Sequence, residues 1–301
     1  MKIRVFISTL TATLILSGNT LAQKQKAKPF QWVNTPTKAL PQGVKHATFQ
    51  SASMQLKVGY TIYLPPSYST EPKVRFPVVY HLHGGRPGSE LKAVQLARFV
   101  DKAIKAKEIK PTIYVFPNGG PMSWYDYPQI ENGAGENVFV KELIPHIDKT
   151  YRSIGSSKGR AIEGFSQGGR GTTRIMFKHP HLFSSAAPGG SGYEPEQRVR
   201  DNNGAESERV KFAPGNNTWD LAKKYSEKKG RPKFPILLWV GTKGFNYEFN
   251  LKFSKFLRKL KIPHSKLIIE GAKHSASQIY EMRGMDLMKF HQKNFTESSS
   301  N

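Results

Sequence analysis

Arg160-Ala161-Ile162-Glu163-Gly164-Phe165-Ser166-Gln167-Gly168-Gly169 is the stretch on which the reading of this 301-residue chain turns. Arg160 to Gly164 has the pattern of a short strand, and Gly168 to Phe177 that of a helix. Between them, Gly164-Phe165-Ser166-Gln167-Gly168 fits G-x-S-x-G. Small residues on either side allow a sharp turn that lifts a serine hydroxyl above a sheet. The amide of Gln167, at the start of the following helix, then faces the place where an oxyanion would develop. A lone G-x-S-x-G arises by chance in glycine-rich loops. Strand, helix and the extra Gly169 together make Ser166 a candidate nucleophile.

Outward from this centre, β-like runs alternate with helix-like ones. Strands are expected at Leu56 to Leu64, Phe76 to Leu82, Thr112 to Phe116, Leu182 to Ala187, Pro235 to Val240 and Ser265 to Ile269. Helices are expected at Leu91 to Ala106, Val138 to Ile147, Trp219 to Lys228, Phe249 to Leu260 and Ile279 to Phe290. Such alternation predicts an α/β fold, a mostly parallel central sheet with helices on both faces. Functional residues should then cluster just past the carboxyl ends of the strands.

Three such positions stand out. His81-Leu82-His83-Gly84-Gly85 closes the second expected strand, and Gly85 or Arg86 is placed to give a second oxyanion donor. His81 and His83 alternate like a metal pair, but nothing nearby completes a ligand set, so no metal is expected. A serine needs a base, and in a Ser–acid–His chain order the base follows the last strand. His274 stands there, whereas His179 and His181 lie too near Ser166 in sequence and His291 lies in the last helix. The acid should follow Pro235 to Val240, yet Gly241-Thr242-Lys243-Gly244-Phe245-Asn246-Tyr247-Glu248 contains no aspartate. Glu248 is the nearest carboxylate, with Glu194 and Asp220 as alternatives. Glu248 reads equally well as a first-turn acid favouring a helix N-terminus. Trp124, Tyr125 and Tyr127 form either an aromatic platform for substrate or lid packing.

Several motifs occur in one order: Tyr63-Leu64-Pro65-Pro66-Ser67-Tyr68, His83-Gly84-Gly85, Pro117-Asn118-Gly119-Gly120, Glu142-Leu143-Ile144-Pro145 with Asp148, Gly164 to Gly169, and His179-Pro180 with Phe183. In this the chain resembles the esterase D family of α/β-hydrolases, which includes feruloyl and acetyl xylan esterases, over residues 47 to 295. The resemblance implies an eight- or nine-stranded α/β-hydrolase sheet, no cofactor, and ester cleavage through an acyl-enzyme at Ser166 with His274 as base. The family places its acid in a Gly-Thr-x-Asp turn, and Gly244 stands at the Asp position. Either Glu248 substitutes, a dyad suffices, or catalysis is impaired.

The ends and the composition add a setting. Lys2 and Arg4, an apolar run from Val5 to Leu16 and Thr20-Leu21-Ala22 read as a signal peptide over 1–22, which predicts export to the periplasm or beyond. An extended lead-in is expected over 23–46 and a polar tail over 296–301. After signal removal no segment is apolar enough to span a membrane. The chain has no cysteine, which excludes disulfides and thiolate chemistry. Its formal charge is +24, and loss of Lys2 and Arg4 with the leader lowers it by two. That surplus attracts polyanions such as an anionic glycan, or simply solvates the surface. No nucleic-acid-binding motif accompanies it.

Overall fold

The computed structural model describes residues 29–295, so the expected signal peptide and polar tail lie outside the described residues. Its centre is an eight-stranded sheet in the order β1-β2-β4-β3-β5-β6-β7-β8. The strands are β1 (Val44–Gln50), β2 (Lys57–Tyr63), β3 (Val78–Leu82), β4 (Ile113–Pro117), β5 (Arg160–Phe165), β6 (Ser185–Gly189), β7 (Leu237–Lys243) and β8 (Ser265–Lys273). β2 runs antiparallel to β1 and β4, and every pairing from β4 through β8 is parallel.

Both faces of this sheet are buried, which explains why its central strands read as continuous apolar runs. Successive side chains of a strand point to opposite faces. On β3, Val78, Tyr80 and Leu82 join one apolar cluster, with Ile175 and Met176 from the helix Gln167–Lys178. Val79 joins a second, with Val100 from the helix Ala97–Lys105 and Ile279 and Leu287 from the helix Ala276–Asn294. Ile162, fully buried in β5, belongs to the first layer. Truncating it to alanine would cost about 2–5 kcal/mol. Among the described residues no helix is long and apolar enough to cross a membrane.

One departure from the sequence reading concerns an edge of the sheet. β1 begins at Val44, inside the expected lead-in. Trp32, 7% exposed, packs into the first cluster, and its carbonyl accepts from Gly59 N at 2.7 Å. The lead-in is therefore partly a structural element of the domain. A helix at Tyr193–Asp201 was also not expected. It buries Glu196 against Arg174, at 2.5 Å, a charged contact that hydrophobic periodicity does not register.

Candidate active site

Strand β5 delivers Ser166 at its carboxyl end, and the helix Gln167–Lys178 leaves directly from it. Ser166 adopts φ 59°, ψ −114°, a region an L residue enters only at a cost of about 1–3 kcal/mol. The turn holds because Ser166 N donates to Gly189 O at 2.9 Å and Ser166 O accepts from Arg170 N at 3.1 Å. It also requires glycine at 168, where a Cβ would stand 1.8 Å from Leu82 O. β3 and the helix can approach this closely only without that atom.

His274 follows β8 directly. Ser275 Oγ accepts from Gln278 N at 3.3 Å and caps the last helix. Gln278 Oε1 accepts from Lys273 N at 2.8 Å. His274 is therefore pinned between two local bonds, a variant of the capping box. Its Nε2 lies 3.0 Å from Ser166 Oγ across 108 residues of sequence. For Ser166 to donate, Nε2 must be the unprotonated nitrogen. Burial pushes the His274 pKa below its ordinary value, which favours the neutral ring. The ring lies between two aromatic neighbours, Phe165 at 4.6 Å and Phe245 at 4.2 Å between centroids. Phe245 is 82% exposed, a large apolar side chain at the rim of the site.

The oxyanion candidates frame the serine. Gln167 opens its helix, so its amide has no intrahelical partner. Its side chain is held by Arg170, whose Nε and a terminal nitrogen donate to Oε1 at 2.9 and 2.6 Å. Gly84 lies so close that a Cβ there would stand 3.1 Å from Ser166 Cβ. Gly85 follows at φ +71°, and the Arg86 guanidinium pairs with Glu206 at 3.0 Å. Glu206 also lies 3.4 Å from Arg170, so one carboxylate ties the loop after β3 to the helix after Ser166.

His81 in β3 and His83 just past its end have internal partners. His83 Nδ1 donates to Gly84 O at 3.0 Å, while Nε2 accepts from Gly119 N at 3.1 Å and Ser89 N at 3.3 Å. Burial lowers its pKa to about 3, so it stays neutral and orders the glycine loop. His81 Nδ1 lies 2.7 Å from Glu163 Oε1 in the interior.

The structure brings none of the three carboxylates suggested by sequence to His274. Glu248 lies exposed in the first turn of the helix Tyr247–Lys259. Glu194 pairs with Arg198. Asp220 accepts from Asn217 Nδ2 at 2.8 Å near the start of the helix Thr218–Glu227. His274 Nδ1 is buried and has no hydrogen-bond partner among the described residues. The aromatic trio likewise resolves toward packing. Trp124, fully buried, donates from Nε1 to His83 O at 3.1 Å. Tyr125 lies under the Arg174 guanidinium, 3.5 Å from ring centroid to carbon. Tyr127, 8% exposed, accepts from Lys211 N at 3.2 Å. Sequence reasoning passed over Phe245 because a single aromatic in a turn has no pattern.

A cavity of about 630 Å³, lined in part by Arg231, Lys233, Lys261, Ile236, Ser265 and Lys293, lies at the amino ends of β7 and β8. The parallel strands place it at the end of the sheet opposite Ser166.

Comparison with known proteins fits this geometry. Residues 51–277 match the family model described as "Putative esterase". An esterase of Mycobacterium tuberculosis is 30% identical over 143 residues, 46% of this chain and 30% of that protein. An endo-1,4-beta-xylanase/feruloyl esterase of Xylanibacter ruminicola is 30% identical over 162 residues, 51% of this chain and 22% of its own length. The matches thus span less than a third of these relatives. Among solved structures, a ferulic acid esterase superposes with TM-score 0.68 at 23% identity, over 84% of this chain and 98% of its own. An S-formylglutathione hydrolase of Staphylococcus aureus superposes with TM-score 0.61 at 18% identity, over 81% and 98%. The chain belongs to the putative esterase family and has the α/β-hydrolase fold of its structural relatives.

Proposed function

We propose that this chain is an exported serine esterase. The 3.0 Å contact between Ser166 Oγ and His274 Nε2 carries the reading. Ser166 attacks the ester carbonyl as His274 takes its proton, and the amides of Gln167 and of Gly85 or Arg86 hold the oxyanion. The tetrahedral intermediate collapses to an acyl-enzyme while His274 protonates the departing alcohol. Water, deprotonated by the same imidazole, then releases the carboxylic acid. Neither cofactor nor metal is required by these steps.

Acyl or feruloyl groups on a polysaccharide are the proposed substrate. Its support is the feruloyl esterase activity named for one relative and for several structural neighbours, together with the leader-like first 22 residues. The exposed ring of Phe245 beside His274 offers an aromatic acyl group a face. The cationic surface would draw an anionic glycan by long-range attraction. Hydrolysis of p-nitrophenyl acetate and methyl ferulate by the purified protein, lost in Ser166→Ala, is the expected result. Equal rates for both proteins would overturn it.

A second reading follows from Gly244 and the missing carboxylate: a glycan-binding protein that keeps the fold without turnover. Fluorophosphonate labelling separates the two, because only an activated Ser166 reacts. Acyl transfer to a sugar acceptor is a third outcome, read from the products when acceptor is present.

A further inference from the structure

The loop after β7 holds a second buried polar atom without a partner, and it lies near the first. Asn246 is 4% exposed. Its Nδ2 donates to Gly190 O and, at 3.1 Å, to Ser191 O. Those two carbonyls fix which way the amide faces, because only the nitrogen can donate to them. The oxygen, Oδ1, is therefore turned away from them. It has no partner among the described residues, as His274 Nδ1 has none. Both flank Gly244. A Cβ built on Gly244 would lie 3.4 Å from Asn246 Oδ1 and 3.9 Å from His274 Cα.

An acceptor and a ring nitrogen, both shielded from water, are costly without partners, and the two are not bonded to each other in this structure. The base chemistry asks for such a bond. Nε2 can take a proton from Ser166 only if Nδ1 carries the ring's hydrogen, and that hydrogen needs an acceptor. An amide oxygen serves, as Cys-His-Asn sites show. Asn250 steadies the donor side: its Nδ2 donates to Asn246 O at 2.8 Å and to Ser191 O at 2.9 Å. The helix Tyr247–Lys259 thus anchors the amide from below.

We infer that Asn246 is the positioning residue for His274, its Oδ1 accepting the Nδ1 hydrogen. The role rests on the esterase reading of Ser166 and His274. A neutral amide fixes the tautomer but supplies no charge to the imidazolium formed in the transition state. A carboxylate at 244 would supply it.

Nitrogen-15 NMR of the wild-type protein reads the bond without any variant. The expected result is His274 in the Nδ1–H form, with that proton protected from exchange, and loss of the protection in Asn246→Ala. An Nε2–H form, or an Nδ1 proton equally labile in both proteins, would overturn the inference. Kinetics supply the second arm. Asn246→Ala should lower kcat roughly tenfold or more with KM little changed. Gly244→Asp in that background should restore kcat to wild type or above. The factor gained should exceed the gain from Gly244→Asp in the wild-type background; equal factors in the two backgrounds would mean that Asn246 acts only structurally. Should the wild type fail to hydrolyse esters or react with fluorophosphonate, the esterase reading falls. The tautomer measurement would still decide the Asn246 bond.

Discussion

His81 and His274 have opposite surroundings. His81, 1% exposed within β3, bonds Glu163, and that carboxylate also lies 3.3 Å from His291 and accepts from Tyr280. His274, past the end of β8, is half-buried, bonds a serine and meets no carboxylate. Burial alone would push the Glu163 carboxyl up. The hydrogen bonds and charges of His291 and His81 override this and hold it well below the usual carboxylate range. The pairing of histidine with carboxylate expected beside Ser166 is thus present in the buried interior instead. Its presence does not mark chemistry. The proposed chemistry rests instead on position at the carboxyl end of the sheet and contact with a strained serine.

The sharpest way to break the contrast is to remove each imidazole's function in turn. His274→Ala should reduce ester hydrolysis by about 10⁴-fold or more with an unchanged melting temperature, followed by kinetics and calorimetry. Glu163→Ala should do the reverse. Leaving buried imidazoles without their acceptor should cost about 3–5 kcal/mol of stability in urea unfolding, while protein that remains folded keeps its turnover.

Next in size is the effect of pH. Burial lowers the His274 pKa, so the neutral base persists to lower pH than for a free histidine. Activity should fall only as acid protonates it, giving a kcat/KM limb below about pH 6.5. Gly244→Asp should favour the imidazolium and move that limb upward by about one unit. Measured pH–rate profiles of the two proteins check the sign, and a limb unmoved or moved downward contradicts it. Phe245→Ala should be milder. Loss of an exposed ring should lower kcat/KM for an aromatic acyl ester about two- to tenfold, with stability changed by less than about 0.5 kcal/mol. The smallest effect belongs to Glu248→Gln. An exposed carboxylate that does not touch His274 should leave kcat within about twofold, and a large loss would restore it as the missing acid.

The central strands β3, β4 and β5 were legible because burial on two faces leaves nearly continuous apolar runs. β1 was not: His46 and Thr48 interrupt its pattern, as suits an edge strand with one pairing partner. Ser166 and His274 were legible because each follows a strand and carries a distinctive side chain. The glycine loop after β3 was legible, but the part His83 plays in ordering it depends on three bonds formed only in the fold. Trp124, Tyr125 and Tyr127 look the same in sequence whether they bind sugar or fill space; in the fold all three are buried, and Tyr125 and Tyr127 also line a cavity. Asn246 escaped for a different reason. In a turn between strand and helix an asparagine reads as punctuation, and a search for carboxylates passes over an amide.

Glu206 stands in a segment remote in sequence from both the β3 loop and the helix it joins. One carboxylate thus joins side chains from both flanks of the proposed oxyanion site while forming no hydrogen bond with Ser166 itself. Because its side chain is only 12% exposed, salt should loosen this clasp far less than it would a surface ion pair. On the proposed mechanism, Glu206→Gln should change turnover while leaving the reacting atoms alone.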